Sequence, residues 1–145
     1  MRARLAALTL LAIALPAAAG EFRSIAENAT PMYDAPSVRA KKLFVASRYY
    51  PVEIVINIDN WVKVRDQAGD LAWVEKKSLS EKRTVIVIAP VADVRRAASE
   101  QAPLAFQARQ GVALDVVDPS AGGWIEVRHA DGQTGFVKVS QVWGL

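Results

Sequence analysis

The feature that most constrains this chain is that it states one pattern twice. Trp61-Val-Lys-Val-Arg65, followed by Gly69, Trp73 and Val74, recurs ungapped 63 residues later as Trp124-Ile-Glu-Val-Arg128 with Gly132, Phe136 and Val137. Upstream, Phe44 to Val55 lies over Phe106 to Val117 at an offset of 62, and Arg23-Ser-Ile over Arg83-Thr-Val at 60. The second copy gains its residues chiefly in the loop 118–123. A period near 60 is too long for the common solenoid units, so it reads as a duplication of a whole small domain.

The predicted organisation is a leader over 1–19, a first domain over 20–81 and a second over 82–145. Arg2 and Arg4, the apolar run Leu5 to Leu15, and Pro16-Ala-Ala-Ala19 follow the order of a secretory signal, and the run is too short to span a bilayer. Export, to the periplasm, of a soluble mature chain is expected. No Cys sits at the junction to accept a lipid, so no stable membrane insertion is expected after cleavage.

The whole chain carries 18 basic and 15 acidic residues. Losing Arg2 and Arg4 with the leader leaves a nearly neutral protein, and neither half has the basic excess of a phosphate-binding surface. Nucleic acid is therefore disfavoured as a partner. The absence of cysteine removes disulfides, thiol catalysis and thiolate metal sites. A module of about 60 residues is marginal alone, and the connector Ser80 to Arg83 is short, so the two modules are expected to pack together.

Two-residue alternation dominates the mature chain: Val52, Ile54, Ile56; Val62, Val64; Leu114, Val116; Ile125, Val127. Turn signals separate these strands, among them Asp131-Gly132, read as a hairpin turn with Ala68-Gly69 as its counterpart. The fold class is all-β, two tandem small barrels. Thr84-Val-Ile-Val-Ile-Ala89 is apolar at consecutive positions, which points to burial on both faces and places this strand against the first module.

A Trp opening a strand, then x-Val-Arg, then Gly-x-x-Gly-aromatic-Val and a closing Val-Trp resembles the bacterial SH3 domain. The second copy is the closer match, with Gly132-Gln-Thr-Gly135-Phe136-Val137 and Ser140-Gln-Val-Trp143; in the first, Ala72 replaces the second Gly. The resemblance implies a five-stranded barrel and a secreted or envelope protein, and similar tandem pairs occur among Gram-negative secreted proteins.

Alternation puts Trp61 with Lys63 and Arg65, and Trp124 with Glu126 and Arg128, on the face opposite the valines. An indole there either recognises a ligand or closes the barrel rim, and the sequence leaves both open. In SH3 domains the Trp at this position helps form a polyproline groove, but the Pro and Tyr that the resemblance calls for fall on Lys138 and Gln141 in one copy and on Glu75 and Ser78 in the other. A surviving groove should prefer a more polar ligand, and the resemblance suggests a peptidoglycan stem peptide. Candidate ligand-binding residues are Trp61, Arg65, Trp73 and Tyr49 in the first copy, and Trp124, Arg128, Phe136 and Trp143 in the second. Arg65 and Arg128 could instead brace strands through a neighbouring acid. Only one of Tyr49 and Tyr50 can point inward on a strand, and the other is expected to be exposed near the groove.

Catalysis is disfavoured. His129 is the only histidine and stands at the Ala130-Asp131-Gly132 turn, where a solvated loop residue is expected, and one His with scattered acids falls short of the usual zinc ligand sets. No catalytic residue, metal or cofactor is assigned. The expected function is non-catalytic binding of cell-wall peptides or an envelope protein; the alternatives are a structural subunit of an envelope complex and, further off, a cell-wall hydrolase.

Overall fold

A computed structural model describes residues 20–119 and 122–145; the leader predicted over 1–19 lies outside them. The first copy comprises β1 (Phe22–Ile25), β2 (Thr30–Tyr33), β3 (Lys42–Ala46), β4 (Pro51–Ile58), β5 (Trp61–Arg65), β6 (Leu71–Glu75) and β7 (Leu79–Ser80). The second comprises β8 (Thr84–Val87), β9 (Val91–Arg95), β10 (Leu104–Arg109), β11 (Ala113–Asp118), β12 (Trp124–Arg128), β13 (Thr134–Lys138) and β14 (Val142–Trp143). Each copy forms one antiparallel sheet, in the orders β3-β2-β6-β5-β4-β1-β7 and β10-β9-β13-β12-β11-β8-β14. The sheets have seven strands where the resemblance implied five. The additional two, β2 with β3 and β9 with β10, are arms of a hairpin within the long connection from the first strand of each copy to the fourth.

The predicted alternation holds where the ladders are regular. Val62, Val64, Ile125 and Val127 are all buried, and they centre two equivalent cores. Ile25, Met32, Val52 and Val74 surround the first pair; Val87, Val94, Leu114 and Val137 surround the second. The alternation fails at Ile56. A register shift between Ile54 and Ile56 inserts one residue into β4, so Ile54 opposes the inward Val64 whereas Ile56 and Ile58 oppose Lys63 and Trp61 on the outer face. Ile56 is accordingly exposed. The same irregularity recurs in β11 between Val116 and Asp118, so the bulge was duplicated with the fold.

The β5–β6 and β12–β13 turns match as predicted, with Gly69 at φ 90° and Gly132 at φ 92°, a conformation that glycine adopts without steric cost. Ala72 opposes Val64 just as Gly135 opposes Val127, so the substitution leaves the register intact. It does report a difference in packing. A Cβ on Gly135 would lie 2.7 Å from both the Arg95 carbonyl oxygen and Val94 Cγ1, whereas the first copy accommodates the Ala72 methyl in its core.

Pairing corrects one detail of the sequence alignment. Val142 opposes Val87 as Leu79 opposes Ile25, which makes Val87 the counterpart of Ile25 at an offset of 62 rather than 60. The first strands of the two copies are the surfaces on which the modules meet. Strand β8 is buried along its whole length: Val85 and Val87 enter the second core, and Thr84 and Ile86 lie on its other side. The Thr84 hydroxyl donates to the Tyr49 carbonyl at 2.6 Å, and the Ser24 hydroxyl donates to the Lys82 carbonyl at 2.7 Å. Phe22 meets the Trp143 ring edge-on at 5.1 Å. The continuous apolarity of β8 thus has the reason expected of it: one face closes its own barrel while the other is covered by the neighbouring module.

Candidate functional site

Two strands and a hairpin arm build the outer face of each module. In the second, Trp124 opposes Lys138, and Glu126 opposes Phe136, which in turn opposes Arg95 on β9. Trp124 and Phe136 are half-buried, each flanked by charge. Beside Trp124 lies a cleft of about 270 Å³ lined by Asp93, Arg95, Glu100, Trp124, Lys138 and Gln141. Its charges are arranged in pairs. Arg95 reaches Asp93 at 3.4 Å and the Ala102 carbonyl at 2.9 Å, and Lys138 donates to Glu100 while lying 5.8 Å from the centre of the Trp124 ring. The Lys138 ammonium holds the Glu100 carboxyl below the usual carboxylate range. Both residues that stand where the SH3 groove would carry Pro and Tyr, Lys138 and Gln141, line this cleft.

The first module presents a different surface on the same frame. Trp61 packs edge-on against the buried Tyr33 at 5.6 Å, and Lys63 lies 6.0 Å from the centre of the Trp73 ring. Ile56 and Ile58 stand across from Lys63 and Trp61, and Leu71, also exposed, stands across from Arg65. This face combines aromatic and aliphatic side chains with Lys63 and with Glu75, which opposes Trp61.

The remaining candidates fall elsewhere. Arg65 braces its barrel through Glu53, directly across the β4–β5 ladder, at 2.9 Å. Arg128 stands opposite Asp115, which pairs with Lys82 instead; Arg128 is exposed, and no ion pair is made to it among the described residues. Trp143 does not join Trp124 and Phe136. It lies on β14 at the far edge of the sheet, against Phe22 of the first module. Tyr49 also belongs to the junction: it adopts φ 72° and its ring lies between Arg48 and Lys82, 4.8 and 4.7 Å away. Neither Tyr49 nor Tyr50 is fully exposed. Tyr50 packs on the first core, and burial pushes its phenol above the ordinary range.

His129 lies in the loop expected of it and is half-exposed, but its ring has neighbours. Its ring centre lies 5.9 Å from that of Phe106, and Nδ1 is 3.0 Å from Asp131 Oδ1. The Asp131 carboxyl is held down at about 2, chiefly by the Gln133 backbone N–H, then by the Gln133 side chain and His129. These residues line a cleft that the sequence reading missed, with Phe106, Ala108, Arg109 and Val112. Its counterpart in the first module is lined by Phe44, Ala46, Ser47, Tyr50 and Asp66, at the matching positions. The repeated Phe-x-Ala of β3 and β10 was the available signal. No group of three or more His, Cys, Asp or Glu side chains suited to a metal ion occurs among the described residues.

Comparison with known proteins agrees with the duplicated architecture. The profile of the bacterial SH3 domain matches residues 26–81 and again 89–144. The chain belongs to the bacterial SH3 domain family. Domains of this family are generally binding modules, commonly of cell-wall peptidoglycan, and occur in extracellular and envelope proteins. No curated protein matches the chain. Among solved structures, similarity extends to NlpC2 from Trichomonas vaginalis (14% identity, TM-score 0.40, 86% of this chain and 48% of that one). NlpC1 from the same organism gives 15% identity and TM-score 0.41 over 94% and 50% of the two chains. An NlpC/P60 family protein from Bacillus cereus gives 16% and 0.36 over 85% and 56%. The chain thus spans about half the length of these proteins.

Proposed function

We propose that this protein is an exported, non-catalytic binding protein that recognises cell-wall peptides through the outer face of its second module. The observation that carries this reading is the cleft in which Trp124 stands beside Asp93, Arg95, Glu100, Lys138 and Gln141. A peptidoglycan stem peptide carries carboxylates and amines on a sugar backbone. Arg95 and Lys138 suit the carboxylates, Asp93 and Glu100 suit an amine, and the Trp124 indole supplies a flat surface for stacking. The internal pairs Arg95–Asp93 and Lys138–Glu100 hold these groups in place without a ligand, and such preorganisation favours affinity. The same polarity disfavours a polyproline helix, which needs an aromatic-lined groove.

Sedimentation with purified sacculi tests the reading. The full protein should co-sediment saturably, and Trp124→Ala together with Lys138→Ala should abolish this while leaving thermal unfolding nearly unchanged. Equal retention of the variant would contradict it, and release of soluble muropeptides that depends on one carboxylate would replace it with hydrolysis.

A second reading has its own support. The outer face of the first module, with Ile56, Ile58 and Leu71 exposed beside Trp61 and Trp73, suits a protein surface better than a cell-wall peptide. On this reading the first module anchors the protein as a subunit of an envelope complex, and recovery of one stoichiometric partner that Ile58→Asp abolishes is its test.

A further inference from the structure

Strand β3 has features that neither outer face explains. It ends the first sheet, pairs with β2 alone, and leaves its other edge without a strand. Such edges are normally short, charged along their length or covered, because an open edge templates pairing with another chain. Here Leu43, Phe44 and Val45 are exposed in succession, Val45 by 61%. Next to them opens the cleft of about 300 Å³ between Met32, Phe44, Val45, Ala46, Ser47, Tyr50 and Asp66, large enough for an aliphatic side chain.

The charge around this edge is predominantly basic, and the Asp34 carboxylate at the end of the hairpin is committed to the Lys41 backbone N–H, which donates to its Oδ1 at 3.1 Å. Arg39, Lys41, Lys42 and Arg48 flank the apolar triplet, and among the described residues none of the four is within ion-pair distance of a carboxylate. Arg48 stacks on Tyr49, and the other three side chains reach into solvent. The one carboxylate of the cleft, Asp66, is committed to its own turn, its Oδ1 accepting from the backbone N–H groups of Ala68 and Asp70. The corresponding strand β10 is built differently, with Gln107 exposed between Phe106 and Ala108 and a Gln107–Asp93 hydrogen bond of 2.7 Å tying it to β9.

We propose that β3 is a strand-addition site for an extended acidic polypeptide. The added strand pairs with the open edge of residues 42–46, places an apolar side chain in the Met32–Phe44–Tyr50 cleft, and sets flanking Asp or Glu side chains against Lys41, Lys42, Arg39 and Arg48. Main-chain pairing supplies affinity, and the pocket with its basic rim supplies selectivity. A second copy of this chain is the wrong occupant on charge, since antiparallel pairing of two β3 edges would bring both sets of cations together. The site is separate from the Trp124 face, so it stands or falls independently of the cell-wall reading.

The test is fluorescence anisotropy of the full protein with a short fluorescein-labelled peptide of alternating glutamate and valine. Saturable binding is expected, weakened about tenfold or more by Lys41→Glu with Lys42→Glu, exposed positions whose change leaves the fold intact. The same peptide N-methylated at alternate residues, so that it keeps its charge but cannot pair as a strand, should not bind. Equal binding of the methylated peptide, or binding insensitive to the lysine changes, would overturn the proposal. So would absence of peptide binding, whether accompanied by association with phosphatidylglycerol vesicles, by self-association in sedimentation, or by neither.

Discussion

The inner and outer faces of the two modules have diverged to different degrees. Inside, Val62 corresponds to Ile125, Val64 to Val127, Val74 to Val137 and Ala46 to Ala108, all within the two cores. Outside, Ile56 corresponds to Asp118, Lys63 to Glu126 and Leu71 to Thr134, and the buried Tyr33 beside Trp61 gives way to Arg95, while Trp61 and Trp124, Trp73 and Phe136, and Arg65 and Arg128 are retained. Core positions resist change because a buried methylene added or removed costs stability in a closely packed interior. Outer positions are free of that constraint, so one barrel now presents exposed isoleucines and a leucine beside its tryptophans, and the other a cleft of paired charges. A third pair of surfaces, the outer sides of β1 and β8, has been consumed by the contact between modules.

The severest test of that comparison is truncation at equivalent core positions. Ile25→Ala should cost about 2–5 kcal/mol by the usual range for buried aliphatic truncation. Because the modules meet through Ser24 on Lys82, Thr84 on Tyr49 and Phe22 on Trp143, urea unfolding followed by tryptophan fluorescence and far-UV circular dichroism should still give one transition. Two separate transitions, with the second unaffected, would mean that the modules fold independently.

A smaller effect separates the hairpins. Gly135→Ala forces a methyl onto the Arg95 carbonyl and Val94 and should destabilise by about 1–3 kcal/mol. The reverse change in the first module, Ala72→Gly, removes a packed methyl and loosens the chain, at about 0.5–1 kcal/mol. Equal thermal shifts for the two would remove the claimed difference in packing.

Acid sharpens the comparison at the turns. The Asp131 carboxyl is depressed from 3.8 to about 2, so its charged form stabilises the native turn fully above about pH 4, and that contribution is lost as the pH falls through about 2. Urea midpoints between pH 5 and pH 2 should fall less steeply for Asp131→Asn than for the parent. Identical slopes would remove the turn from the account. The smallest effect is at the matched arginines: Arg65→Met breaks an exposed ion pair worth at most about 1 kcal/mol, whereas Arg128→Met should be nearly neutral.

Much of the fold was legible because duplication supplies each strand twice, and the inward valines and hairpin glycines occupy fixed positions in both copies. The bulge that turns Ile56 outward was not, because an inserted residue leaves the apolar pattern unbroken while reversing its face. Part of the site was legible too. Alternation places Trp124 on the face opposite the valines, and the replacement of Pro and Tyr by Lys138 and Gln141 points to a more polar ligand. Asp93, Arg95 and Glu100 were not foreseen, since they arrive from the β9–β10 hairpin, distant in sequence from the Trp motif. Trp143 was placed in a groove because its neighbour across the module contact, Phe22, lies at the other end of the described chain.

The account predicts that the charged face, and not the aromatic one, engages the cell wall. Tryptophan fluorescence of the full protein titrated with soluble muropeptides, repeated for Trp124→Phe and Trp61→Phe, tests this directly. The predicted result is a saturable change in the parent and in Trp61→Phe that is lost in Trp124→Phe. A change that survives in Trp124→Phe and vanishes in Trp61→Phe, or no change in any folded variant, would contradict it.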